Sequence, residues 1–327
     1  EHPFSPDQRL IDAITAAAGT SNRYADHLAT ELRIALARLV DVDLERVTVG
    51  HGSAGLLQQL CLAYVDPGDD VVYPWRSFEV YPVFTQLMGA RSVTVPLTDD
   101  LGFDLGAVAS AVTPQTKVVF LATPNNPTGV ATSVDDLATM LGEIPDDVIV
   151  CVDEAYREFV DPRFGDPVAE LVPRFPNVVV TRTFSKAFAL AGVRIGYAVG
   201  HPSVVAMLDA VQVPFAISAP AQQVALAALR HRDDLLEAIP AWIAERDRVA
   251  DALRAEGWSI PDVQGNFVWL PAGGSAAEIA LALERRGVVV RPFPGEGLRV
   301  STGSPEENDR FLAELRAVVA AGSGVAR

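Results

Sequence analysis

Up to residue 200 the chain is punctuated by short apolar runs: VTVG (47–50), DVVYP (70–74), SVTVP (92–96), KVVFLA (117–122), VIVCVD (148–153), NVVVTR (177–182) and RIGYAVG (194–200). They are apolar almost throughout, not at alternate positions, which is the pattern of strands covered on both faces. Helical stretches lie between several of them. Residues 53–65 form one, closed by Asp66-Pro67-Gly68, and residues 133–142 form another, opened by Ser133 with Asp136 three residues on. Strand–helix–strand alternation of this kind implies an α/β domain with a mostly parallel sheet.

Beyond residue 215 the pattern changes. A helical stretch runs from Ala219 to near Glu256, with an interruption at Pro240. Strand-like NFVWL (266–270), a helix over 275–286, GVVVRPF (287–293), GLRVSTG (297–303) and a helix over 304–321 follow. That order reads as a second, smaller α/β domain. A length of 327 residues suits two domains. The expected division is an N-terminal arm and helix (1–27), a large domain (28–230) and a small C-terminal domain (231–327). Neither an internal repeat nor a low-complexity linker separates them.

Lys and Arg number 26 against 42 Asp and Glu, a net charge of −16. Nucleic acid and anionic membrane surfaces both require basic footprints, so neither is expected as a partner. No run of 18 apolar residues is present, and the opening EHPFSPDQRL has no apolar signal region. The chain does not start with Met, so residues upstream are expected to be missing. Cys61 and Cys151 sit in apolar stretches without a partner at metal or redox spacing. They read as buried small hydrophobes in a reducing compartment, so a cytoplasmic protein without a metal site is expected.

All but two of the basic residues are Arg; the exceptions are Lys117 and Lys186. Arg cannot replace an amine that must lose its proton and attack a carbonyl. Lys186 lies in Thr183-Phe184-Ser185-Lys186, just past a strand and so at the carboxyl edge of the sheet, where open α/β sheets bind ligands. Arg194 is the next basic residue. Asp153 ends an apolar strand, and a buried carboxylate there needs a partner such as a protonated ring nitrogen. Tyr156 follows three residues later with a phenol for a second ring atom. Pro124-Asn125-Asn126-Pro127-Thr128-Gly129 is a rigid turn presenting an Asn at a strand's carboxyl end. Gly50-His51-Gly52-Ser53-Ala54-Gly55 links a strand to a helix whose first N–H groups suit an anion such as phosphate.

Taken singly, each has a plainer reading: a surface lysine, a helix-capping Asp, a loop of turn formers, a dinucleotide loop. The dinucleotide reading lacks its acidic residue, because Tyr73-Pro74 stands about 20 residues on. Together the four describe one ligand. It has an aldehyde for Lys186, a ring nitrogen for Asp153, a ring oxygen for Tyr156 and Asn126, and a phosphate for Ser53, Thr183, Ser185 and Arg194. That ligand is pyridoxal 5′-phosphate.

With these motifs the sequence resembles the fold-type I pyridoxal-phosphate aminotransferases over almost its whole length. P-N-N-P-T-G, D-E-A-Y, T-F-S-K-A-F, G-x-R-x-G-Y and the late L-R-V-S-T-G occur in that family's order and spacing. Within it the chain is similar to the histidinol-phosphate aminotransferase family, through Asn22-Arg23-Tyr24 and the opening Glu1-His2-Pro3-Phe4. The resemblance implies a large domain with a mostly parallel seven-stranded sheet, plus the small domain. It implies that Lys186 bonds the cofactor aldehyde and then shuttles a proton. Asp153 holds the ring nitrogen's proton, Tyr156 and Asn126 bond the ring hydroxyl, and Phe78 stacks on the ring. Ser53 and Ala54 open the phosphate-binding helix. Arg299 grips the substrate carboxylate, with Arg291 near it and Phe4 in a lid; the plainer reading of both arginines is surface salt bridging. Tyr24 reaches the cofactor phosphate of the other subunit of a homodimer.

The usual acidic pair after Gly-Ser is absent, and Trp75-Arg76-Ser77-Phe78-Glu79 and Val213-Pro214-Phe215 look more like the aromatic amino-acid aminotransferase branch. The function this implies is ping-pong transamination between phenylalanine, tyrosine or tryptophan and 2-oxoglutarate, with the aromatic ring in a mobile pocket near Phe4, Trp75 and Phe215. Histidinol-phosphate transamination is the alternative. A decarboxylase on the same scaffold is a third reading, and a ligand-sensing regulator a fourth, although a regulator would normally add a DNA-binding domain.

Overall fold

In a computed structural model, which describes residues 2–322, every apolar run up to residue 200 becomes a strand of one sheet. The strands are β1 (Val47–Gly50), β2 (Asp70–Trp75), β3 (Arg91–Pro96), β4 (Thr116–Ala122), β5 (Ile149–Asp153), β6 (Val178–Thr183) and β7 (Gly196–Gly200). Their order is β1-β7-β6-β5-β4-β2-β3. β7 runs antiparallel to both neighbours and the other pairings are parallel.

The continuous apolarity has a direct cause. Val119, Leu121, Val150, Val152, Val178 and Val180 face one apolar core, while Val118, Phe120, Ile149, Cys151 and Val179 face another on the opposite side. Polar residues at strand ends are therefore assigned to a face by parity. β3 departs from the expectation of strands covered on both faces: it is the sheet edge, and Arg91, Ser92, Thr94 and Pro96 are exposed.

Beyond the sheet, the helical region after Ala219 is three helices, Ala219–Arg230, Arg232–Leu236 and Ile239–Ala255. Pro240 opens the third instead of breaking one long helix, because its missing N–H has no partner to lose in a first turn. The small sheet is β8 (Phe267–Leu270), β9 (Arg291–Phe293) and β10 (Gly297–Ser301), antiparallel in the order β8-β10-β9. The run at 287–293 is a strand only from Arg291, and Val289 is exposed. The last helix, Pro305–Ala321, starts on a capping box of Ser304 and Glu307. The helix Ile239–Ala255 joins two cores: Ile239 and Trp242 pack with the large sheet, Val249, Ala250 and Leu253 with the small one. No helix of the described residues is long and apolar enough to cross a membrane.

Candidate active site

The carboxyl ends of β4, β5 and β6 lie side by side, and the segments leaving them face one cavity of about 640 Å3. β4 leads to Asn126, β5 ends on Asp153 and leads to Tyr156, and β6 ends on Thr183 and leads to Ser185 and Lys186. All of these side chains line the cavity, as do Ser53, Ala54, Phe78, Arg194, Arg291 and Arg299.

Asp153 is buried at the cavity floor. Thr181 Oγ1 donates to its Oδ1 at 3.0 Å and Tyr81 OH to its Oδ2 at 3.3 Å. Burial pushes its carboxyl up to about 6, against the opposing pull of these two donors and of the Lys186 charge. A carboxylate so placed favours a cationic partner. Neither donor was singled out in the sequence. Thr181 is the residue opposite Asp153 in the β5–β6 ladder, and Tyr81 stacks on Phe120 at 4.7 Å under the sheet. Both relationships depend on strand order, and an isolated Thr or Tyr gives no signal of them.

Lys186 Nζ lies 5.5 Å from the centre of the Tyr156 ring. Burial raises the Tyr156 phenol above its ordinary value, with Arg299 opposing the shift. Asn125 and Asn126 divide their work. Asn125 is fully buried and braces the turn, accepting from Ser77 Oγ at 2.8 Å and donating to Arg76 O and Thr128 Oγ1 at 3.0 Å each. Asn126 faces the cavity.

At one end of the cavity the helix Gly52–Tyr64 begins without a side-chain cap, so its first N–H groups are left for a ligand. Ser53, Ala54, Thr183, Ser185 and Arg194 gather there. Thr183 Oγ1 accepts from the Ser185 N–H at 3.1 Å. Gly52 has φ +72°, and a Cβ on it would fall 2.5 Å from the Arg194 guanidinium, so glycine is what admits the cation at this place. Arg194 itself is held by donation to Ala191 O at 2.8 Å.

The opposite wall comes from the small domain. Arg299 Nη1 donates to Asn126 Oδ1 at 2.5 Å, and its Nε is buried without a partner. Two ion pairs cross the mouth between the 75–79 loop and the β9–β10 hairpin, Arg76 with Glu296 and Arg291 with Glu79. The Glu79 pairing is a further relationship not visible in the sequence.

Four aromatic residues expected at the site are not gathered into this cavity within one chain. Tyr24 is 84% exposed and stacks on Phe215 at 4.6 Å. Phe4 is exposed, edge-on to His2, which in turn packs on Trp242. Trp75 lies under the Arg76 guanidinium at 4.3 Å. The expected ring pocket of Phe4, Trp75 and Phe215 therefore does not form in the single chain, because Phe215 and Phe4 are held by other aromatic neighbours. Glu1, part of the opening motif, lies outside the described residues.

A family model described as aminotransferase class I and II matches residues 2–315. The chain belongs to this family. This aminotransferase is 48% identical over 313 residues to an aromatic amino acid aminotransferase of Streptomyces coelicolor, an alignment covering 95% of the chain and 87% of that protein. It is 49% identical to one of Thermobifida fusca, with 97% and 88% covered. Among solved structures, a histidinol-phosphate aminotransferase from Sinorhizobium meliloti in complex with pyridoxal 5′-phosphate superposes with a TM-score of 0.90 at 30% identity, covering 98% of this chain and 89% of that one. The aminotransferase uses pyridoxal 5′-phosphate. The cavity fits that group: a buried carboxylate inclined to take a cationic partner at one end, an uncapped helix start with hydroxyls and a guanidinium at the other, and an amine between.

Proposed function

We propose that this aminotransferase moves the amino group between an aromatic amino acid and 2-oxoglutarate. The observation that carries the reading is the convergence of Lys186, Asp153, Tyr156, Asn126 and Arg299 on one cavity. The relatives named for aromatic amino acids support the substrate class, at higher identity than the histidinol-phosphate enzymes. The cavity also supports it. Arg291 is engaged by Glu79, and Phe78, Val80 and Val83 give an apolar wall, which suits an uncharged ring better than a phosphate.

Pyridoxal 5′-phosphate, when bound, supplies an aldehyde that bonds an amine and a ring that takes up electron density. The chain's residues do the rest. Asp153 holds a proton at the ring nitrogen, kept in place by Thr181 and Tyr81. Tyr156 and Asn126 bind the ring hydroxyl, and Phe78 covers the ring. Ser53, the Ala54 N–H, Thr183, Ser185 and Arg194 bind the phosphate. Arg299 binds the substrate carboxylate through its planar fork, steadied by Asn126. Lys186 Nζ would take the proton from the substrate Cα and pass it to the carbon of the cofactor's aldehyde group. An arginine would stay charged and could do neither this nor the bond to the aldehyde.

The same reading makes the working unit a homodimer, each Tyr24 serving the partner's phosphate site. Its 84% exposure supports this. It divides the chain into an arm (1–27), a cofactor domain (28–230) and a small domain (231–327), supported by the two separate cores that the helix Ile239–Ala255 joins. A cytoplasmic setting is supported by two buried, unpaired cysteines.

The test is a single-turnover spectrum of cofactor-loaded protein mixed with phenylalanine or, separately, histidinol phosphate. Fast conversion of the cofactor band with phenylalanine and slow conversion with histidinol phosphate is the expected result. The reverse order would make this a histidinol-phosphate enzyme.

A further inference from the structure

Arg182 and Glu154 form an ion pair on the face of the sheet away from the cavity. Their side chains are 8% and 2% exposed, and Arg182 Nε donates to Glu154 Oε2 at 2.7 Å. Arg182 Nη2 donates to Asp166 Oδ1 at 2.5 Å, and Arg157 Nη1 stands 3.5 Å from Glu154 Oε1. Glu158 and Tyr197 line the small cavity that Arg182, Arg157 and Asp166 also border.

The position of this pair matters more than its burial. Successive residues of a strand face opposite sides, so Arg182 lies between Thr181, which bonds Asp153, and Thr183, which lines the cofactor cavity, and Glu154 directly follows Asp153. The regular ladder between β5 and β6 closes on the Glu154 N–H donating to Thr181 O at 2.8 Å. Beyond that bond β5 leaves the sheet toward Tyr156, while β6 stays paired with β7 as far as Thr183 and then leads to Lys186. On the front face Thr181 bonds Asp153; on the back face Arg182 bonds Glu154.

Stability alone does not account for ions at this place. A buried pair is matched or bettered by apolar residues of similar volume, and the preceding positions on the same face, Val152 and Val180, use them. An ion pair does something an apolar pair cannot: the planar fork of Arg182 engages two carboxylates at once and fixes direction as well as distance. We propose that Arg182, acting with Glu154, is a positioning residue that sets the spacing between the Asp153 carboxylate and the segment carrying Lys186. The inference rests on the reading of those two residues as cofactor ligands.

The test uses full-length holoenzyme, the charge-free pair Arg182→Met/Glu154→Leu and the single variant Arg182→Lys. The readouts are Tm, the visible band of the bound cofactor and its pH midpoint, and kcat and KM for phenylalanine. The paired variant is expected to keep the wild-type Tm or exceed it. Its kcat falls about tenfold to a hundredfold, its KM changes by less than about threefold, and the pH midpoint of the band moves. Arg182→Lys keeps the charge but loses the fork, and falls between it and wild type. A paired variant with wild-type Tm, kcat and midpoint overturns the proposal. If the pair does not fold, Arg182→Lys decides: loss of kcat with a shifted midpoint at unchanged Tm upholds it, and wild-type values overturn it. A wild-type enzyme that bound its cofactor elsewhere than Lys186 would instead defeat the reading of the site, whatever the Arg182 variants do.

Discussion

Arg299 Nη1 bonds the side-chain oxygen of Asn126 at 2.5 Å, so β10 of the small domain is tied to the turn that follows β4 of the large one. The guanidinium also lies over the Phe267 ring at 5.3 Å. Its Nε, buried and unpartnered, keeps one donor in reserve. The group assigned to substrate carboxylates is thus oriented by both domains before any substrate arrives.

Replacing Arg299 by Ala removes a contact that every amino acid and 2-oxo acid substrate would share. KM is expected to rise by about tenfold to a hundredfold for phenylalanine and by a similar factor for 2-oxoglutarate. Steady-state kinetics with each substrate varied in turn checks this. A loss confined to one substrate would remove Arg299 from the carboxylate role.

Asp153 makes stability depend on pH in a stated direction. Its carboxyl titrates at about 6 in the fold against an ordinary 3.8. Between those values the folded chain holds a proton that the unfolded chain has lost, so this group's contribution declines as pH rises from 3.8 through 6. The decline amounts to about 3 kcal/mol once the window is passed. Urea unfolding of cofactor-free protein from acid to neutral pH should show it. Asp153→Asn, which cannot ionise, should flatten that part of the profile. Equal pH dependence in the two proteins would contradict the assignment.

Tyr24 can be tested by complementation. Lys186→Ala and Tyr24→Ala are each expected to be poorly active alone. In a hybrid dimer one site has its own Lys186 and the partner's intact Tyr24. Random mixing of subunits should then restore about a quarter of wild-type turnover, because half of the dimers are hybrid and each has one whole site. No recovery on mixing and refolding would place Tyr24 in its own chain's site or in none.

Glu79 pairs with Arg291 at the mouth, both side chains partly exposed. Glu79→Gln frees that guanidinium. Substrates with an anionic side chain should gain a few-fold in kcat/KM relative to phenylalanine, a modest change because the pair is solvent-screened. An unchanged ratio would make the pair a simple clasp between the domains.

Much of this site was legible because its residues come in short contiguous groups at strand ends. Asp153, Asn126 and Lys186 each follow an apolar run, and such a run is recognisable when alternate residues feed two cores. Relationships that depend on which strands are neighbours were not legible. Thr181 supports Asp153 only because β6 lies beside β5, and Tyr81 reaches it from a helix three strands earlier in the chain. β3 reads like its siblings because edge position is a property of the sheet, not of the segment. Phe4, Trp75 and Phe215 were grouped by kind, and aromatic residues pack with whatever ring is near: His2, Tyr73 and Tyr24 respectively.

The most direct measurement uses the scarcity of lysine. Borohydride reduction of the holoenzyme, followed by peptide mapping, should leave the cofactor's mass on one residue. Only Lys186 and Lys117 are available, and Lys117 lies near the start of β4, at the strand end away from the cavity. A single adduct at Lys186 is the predicted result. An adduct at Lys117, or none on either lysine, would contradict the account.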